Sequence, residues 1–111
     1  MDEQSPSPPL DQSFYRDAHL FVDLRQQVVM LDGETVRLNR EEYRLLALLV
    51  EHAGVAITRP ILLMQIWGYG PEIREGKVDT CIRGLRQKLG IYADQYLETV
   101  IGVGYRFRPI H

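Results

Sequence analysis

Short apolar runs broken by polar residues fill the stretch from His19 to Leu38, and at Asn39 the spacing changes to a helical one. Phe21, Val28, Val29, Val36 and Leu38 predict three or four short antiparallel strands, with a tight turn at Asp32-Gly33. Asn39 and Glu42 have the spacing of a capping box, opening a helix over EEYRLLALLVEH. That run is apolar on most of its circumference, so this helix should be the buried centre of the fold. Gly54 ends it, and Val55-Ala56-Ile57 suffices only for a brief strand. Thr58 caps a second helix through Leu62, Leu63, Ile66 and Trp67, with Pro60 in its first turn and Gly68-Tyr69-Gly70-Pro71 as its stop.

A third helix is predicted from about Gly76 to Leu89, with Gly90 as its C′ residue. At about 100° per residue, Val78, Cys81, Ile82, Leu85 and Leu89 share one arc. Gly76, Thr80, Arg83 and Gln87 form the opposite stripe. Asp79 and Arg86 flank that stripe on one side, and Lys77, Gly84 and Lys88 on the other. The chain then reads YLETVIGVGYRFRP, an alternating pattern that predicts a hairpin turning near Gly102 and Gly104 and closed by Pro109. The elements together give an α+β fold of one N-terminal antiparallel sheet, three helices and a C-terminal hairpin.

Composition adds boundaries. A chain of 111 residues, 45% hydrophobic and 25% charged, suits one globular domain with a core of its own. Residues 1–13, MDEQSPSPPLDQS, read as a tail or linker because they cannot bury enough surface to offset ordering. The domain is then 14–111. A single cysteine excludes an internal disulfide and a thiolate-rich zinc site, and His19, His52 and His111 are too scattered to suggest a metal. No window approaches the ~18 apolar residues of a membrane span, and the acidic start is unlike a signal peptide. The expectation is a cytoplasmic chain with no membrane contact. Cys81 and His52 read as packing and helix-end residues.

Charge changes the picture more. The net charge of −2 hides an asymmetry, with five Lys/Arg against ten Asp/Glu in residues 1–58 and eight against five thereafter. The basic groups gather where the third helix presents its polar stripe. Three helices followed by a glycine-turned hairpin, with a basic third helix, form the layout of a winged helix-turn-helix. A B-form major groove admits one helix, and Arg83 has the length and fork for a bidentate guanine contact, Thr80 for thymine. Lys77, Arg86 and Lys88 suit phosphates on the groove walls. Trp67, at a helix end, suits core packing, with a polar indole N–H besides. Asp79 stands at i,i+4 from Arg83, where it would orient that arginine. The glycines of GVGYRF lie between strands rather than opening a helix, which argues against nucleotide binding. No nucleophile–base pair is legible, so the chain reads as no enzyme and implies no cofactor.

At these residues the sequence resembles the effector domain of OmpR/PhoB-type response regulators. The matching stretches are HLFVDLRQQVVMLDGETVRL, LNREEYRLLALLVEHAG, ITRPILLMQIWG, KVDTCIRGLRQKLG and ETVIGVGYRF, in order, covering about residues 15–109. The resemblance implies binding of double-stranded DNA at direct-repeat half-sites, as a tandem dimer, to control transcription. It also implies that the loop from Gly68 to Glu75 meets RNA polymerase. Family contacts carried onto matching positions fall on Trp67, Lys77, Asp79, Thr80, Arg83, Arg86 and Thr99. Gln87 and Lys88 on the helix, and Ile101 and Gly102 at the wing, complete the expected interface.

Three positions depart from the pattern. Many relatives have histidine in place of Cys81, arginine in place of Gly84, and arginine at the wing in place of Ile101. Alternation places Leu97, Thr99 and Ile101 on one face of the wing strand, with Ile101 exposed near the turn. A competing reading is a winged helix acting as a protein-interaction module that docks polymerase or another partner. The length leaves no room for the phosphorylatable receiver domain that such regulators carry.

Overall fold

The computed structural model describes residues 13–70 and 73–110. The expected tail, Ser13 apart, lies outside them, as do Pro71 and Glu72 of the Gly68–Glu75 loop. Strands β1 (Phe14–Arg16), β2 (Leu20–Asp23), β3 (Val28–Leu31) and β4 (Glu34–Thr35) form one antiparallel sheet in chain order. Asp32 and Gly33 both take positive φ, 51° and 82°, which matches the twist of the β3–β4 hairpin they turn. The strand the pattern did not mark is β1. It is short and its only inward residue, Tyr15, meets Phe107 edge-on with ring centroids 5.1 Å apart.

Helix α1 (Arg40–Glu51) begins as predicted. The Asn39 side chain accepts from the Glu42 N–H at 2.8 Å, and the Glu42 carboxylate accepts from the Asn39 N–H at 3.0 Å. Its Leu45, Leu46 and Leu49 are fully buried, and α1 lies at the centre of the core. Strand β5 (Ile57–Thr58) falls slightly later than expected, and Thr58 then caps α2 (Arg59–Trp67). Helix α3 (Gly76–Leu89) has the predicted bounds. After it a 3-10 turn (Gly90–Tyr92) and a one-turn helix, α4 (Ala93–Tyr96), were not anticipated. These segments are too short to show a helical period.

Strands β6 (Leu97–Val100) and β7 (Gly104–Phe107) make the expected hairpin, and β5 joins it to give a three-stranded sheet ordered β5-β7-β6. The two glycines play different parts. Gly102 turns the hairpin with φ of 77°. Gly104 lets β7 approach β5, since a Cβ there would lie 2.0 Å from the Ile57 carbonyl oxygen.

The N-terminal sheet is fastened to the rest by buried side chains and by Asp17. Leu20, Val22 and Val29 enter the core. The Asp17 carboxylate accepts from the Tyr96 hydroxyl at 2.8 Å, from the Tyr15 hydroxyl, and from the Leu20 and His19 N–H groups at 2.8 Å each. A second tie runs from Tyr92 to Asp32 at 2.6 Å, with Asp32 also 2.7 Å from His19 Nδ1.

Candidate nucleic-acid interface

Helix α3 buries Val78, Cys81, Ile82, Leu85 and Leu89, the arc that the period selects. Gly76, Lys77, Thr80, Arg83 and Gln87 are exposed. These five line one open groove with Trp67, Arg74 and Asn39, at the junction of α3 with the ends of α1 and α2. No side chain caps the N-terminus of α3, and the Lys77 and Val78 N–H groups turn back to the Arg74 and Glu75 carbonyls. Among the described residues, Arg74, Lys77 and Arg83 form no ion pair or side-chain hydrogen bond, so three cations of one groove stand open to solvent. Trp67 is half-buried against the core and borders the same groove, with no hydrogen-bond partner for its indole among the described residues.

Three other charges expected at this face are engaged inside the molecule. The Asp79–Arg83 pair does not form. Arg59, at the start of α2, donates two bonds to Asp79 at 3.0 and 2.8 Å, and the Tyr105 hydroxyl of β7 donates to the same carboxylate. The Arg59 bonds, opposed by burial and aided by Tyr105, hold the Asp79 carboxyl below its ordinary value. Helix spacing could not reveal this, because both partners come from other elements.

Arg86 is the second. Its guanidinium donates to Asp94 at 3.1 Å, to the Leu97 carbonyl at 3.0 Å and to Thr99 Oγ1 at 3.0 Å. The third is Lys88, which pairs with Glu42 of α1. Glu42 is only 5% exposed, and its carboxylate explains Gly84: a Cβ there would lie 2.4 Å from Glu42 Oε2. The glycine in mid-helix thus leaves room for the Glu42 carboxylate between α1 and α3. Cys81, beside it, has its thiol pushed up to about 12 by burial and then by Glu42 and Glu41, so it is an unreactive packing residue.

The wing presents an apolar tip. Ile101 is 88% exposed and Val103 43%, on either side of Gly102. Ile101 lies in the turn, so strand alternation does not govern it, while Leu97 is buried and Thr99 exposed. Arg106 is spent on its cross-strand partner Glu98 at 2.8 Å. No arginine or lysine of β6, β7 or their turn is left unpaired.

The profile described as "Transcriptional regulatory protein, C terminal" matches residues 33–107. The chain belongs to that family. As a transcriptional regulatory C-terminal domain it is a DNA-binding effector module and not an enzyme, with the winged helix-turn-helix of OmpR/PhoB-type response regulators. It is 39% identical over 90 residues to the response regulator ArlR of Staphylococcus saprophyticus, covering 80% of this chain and 41% of that protein. With the phosphate regulon transcriptional regulatory protein PhoB of Pseudomonas aeruginosa it shares 40% over 88 residues, 79% of this chain and 38% of PhoB. The chain therefore spans about two-fifths of the curated relatives it matches. Among solved structures, DrrB, an OmpR/PhoB homologue of Thermotoga maritima, superposes with a TM-score of 0.80 at 30% identity, over 87% of this chain and 45% of DrrB. The Klebsiella pneumoniae RstA DNA-binding domain, solved in complex with the RstA box, gives 0.77 at 31% identity, over 87% of this chain and 98% of that one. Sequence reasoning missed Arg59, Tyr105 and Arg74. For the first two no local signal exists; Arg74 lies in a loop without periodicity.

Proposed function

We propose that this domain lays α3 in the major groove of duplex DNA, with Arg83 reading a guanine and Thr80 and Gln87 touching neighbouring base edges. The observation that carries this reading is the groove in which Arg74, Lys77 and Arg83 are unpaired among the described residues, beside Thr80 and Gln87. A helix surface that only needed solvation would have no reason to leave its cations together while neighbouring ones are paired. Lys77 and Arg74 hold phosphates, and Trp67 adds its indole N–H at the groove edge. The wing lies beside the same duplex, where Thr99, Ile101 and Gly102 meet sugar and backbone.

By its likeness to regulators of this class, the domain occupies direct-repeat half-sites as a tandem dimer in the cytoplasm. Tyr69, 88% exposed in the loop after α2, is the feature that suits a contact with RNA polymerase. Selection of bound sequences from a random duplex pool tests the reading and yields the half-site spacing. A recovered motif with a guanine lost in the Arg83→Ala selection is the expected result. Recovery of no motif, with binding indifferent to salt, would instead make the domain a protein-docking module.

A further inference from the structure

We propose that Asp79 and Arg86 are positioning residues that lock the wing onto α3, so that helix and wing address DNA as one rigid unit; the DNA part of this rests on the reading above. The two residues are seven positions apart on α3, which puts them about 20° apart around its axis. Asp79 accepts the Tyr105 hydroxyl, and Arg86 donates to Thr99 Oγ1 and to the Leu97 carbonyl. Thr99 and Tyr105 are direct cross-strand partners in the β6–β7 register. One side of one helix therefore grips both strands of the wing at the same rung.

The grip continues into α2. Arg59 donates to both oxygens of the Asp79 carboxylate, and the preceding residue, Thr58, pairs with Gly104 of β7. Only the rung Val100–Gly104 separates the pinned pair from the tip at Ile101, Gly102 and Val103. A two-stranded hairpin anchored only at its base has a loose tip; anchored one rung below its turn, it has little freedom. Arg86, which a helical wheel offers to phosphate, is thus employed with Asp79 in fixing the distance between the α3 stripe and the wing tip. That distance decides which groove geometry the tip can meet.

The test removes only hydroxyls, with Thr99→Val and Tyr105→Phe together. In the free domain, backbone amide order parameters at Ile101, Gly102 and Val103 should fall from the rigid range, near ~0.85, toward ~0.6. On the duplex recovered by selection, hydroxyl-radical protection on the wing side should disappear while the base preference set by Arg83 persists. Affinity should drop roughly tenfold. Thr99→Ser, which keeps an oxygen for Arg86, should retain the wild-type order parameters at the tip of the free domain. Native amide signals at Leu85 and Leu89 report folding; if the pair of changes unfolds the domain, each single change is measured, with a smaller loss of tip order expected from each. Tip order unchanged in these variants overturns the lock. So does protection lost equally on helix and wing sides. Absence of any wild-type footprint overturns the DNA reading, while the order parameters still judge the lock.

Discussion

Gly84 shows how a single position can invert the expectation drawn from propensity. In an isolated helix Gly84→Ala would gain roughly 1 kcal/mol. Here the added methyl meets the Glu42 carboxylate, which is buried, closes the capping box of α1 and pairs with Lys88. Displacing it outweighs the propensity gain, so Gly84→Ala should destabilise by about 1 kcal/mol in urea unfolding. In a Glu42→Ala background the same change should become stabilising, and a sign that stays constant across the cycle would refute the clash. Lys88→Ala should cost about 1–2 kcal/mol of stability, discounted for the partial exposure of the lysine. It should leave the salt dependence of DNA binding unaltered. Lys77→Ala should do the reverse, flattening the salt slope by about one unit at unchanged stability. Parallel titrations and melts of the two variants separate these roles.

At the scale of elements, α3 and the wing divide the work unequally. The helix holds open cations, whereas the wing tip offers Ile101 and Val103 and no unpaired charge. An isoleucine cannot exploit the negative potential of a narrow minor groove. Ile101→Arg should therefore tighten binding, most on A·T-rich flanks, as a fluorescence titration over flanks of varied composition would register. Weaker binding together with loss of a DNA bend would mean that Ile101 acts as a wedge between base steps. Arg83→Ala should cost ~1–3 kcal/mol on the selected site and relax preference at one base pair. An equal loss on random duplex would remove Arg83 from base reading.

For the molecule as a whole, two electrostatic consequences follow from where the charges are paired. Asp17 joins the N-terminal sheet to α4, and Asp79 joins α2, α3 and the wing. Burial raises the Asp17 carboxyl, but the Leu20 N–H, the Tyr15 hydroxyl, the His19 N–H and the Tyr96 hydroxyl together outweigh it. Both carboxyls thus lie below their ordinary 3.8 in the folded state. Their stabilisation is complete above that value and is lost as pH falls through the folded pKa. Acid unfolding followed by circular dichroism should steepen below pH 3.8, and Asp17→Asn should make it shallower. DNA affinity should fall with salt at a log–log slope of only about −2 to −3 per domain, because, among the described residues, only Arg74, Lys77 and Arg83 of the α3 groove are free to meet phosphate. A slope near about −6 would mean that Arg59, Arg86 and Lys88 abandon their carboxylates for phosphate.

The sequence by itself determined the three long helices, the caps of the first two, the wing hairpin and the buried faces, but not β1, the 3-10 turn or α4. Asn39 with Glu42, Thr58 ahead of Pro60, Asp32-Gly33, and the Val78–Leu89 arc are local signals, written in spacing of a few residues, and folding left them as read. The exposed stripe of α3 followed from the same period. Which of its charges remain free was decided only by the tertiary structure. Asp79 meets Arg59 from 20 positions away, Arg86 meets Thr99 from 13, and Lys88 meets Glu42 from 46. Periodicity encodes which side of a helix is buried, because burial depends on one residue's own polarity. Pairing depends on which other element packing brings within 3 Å, and that is a property of the assembled core.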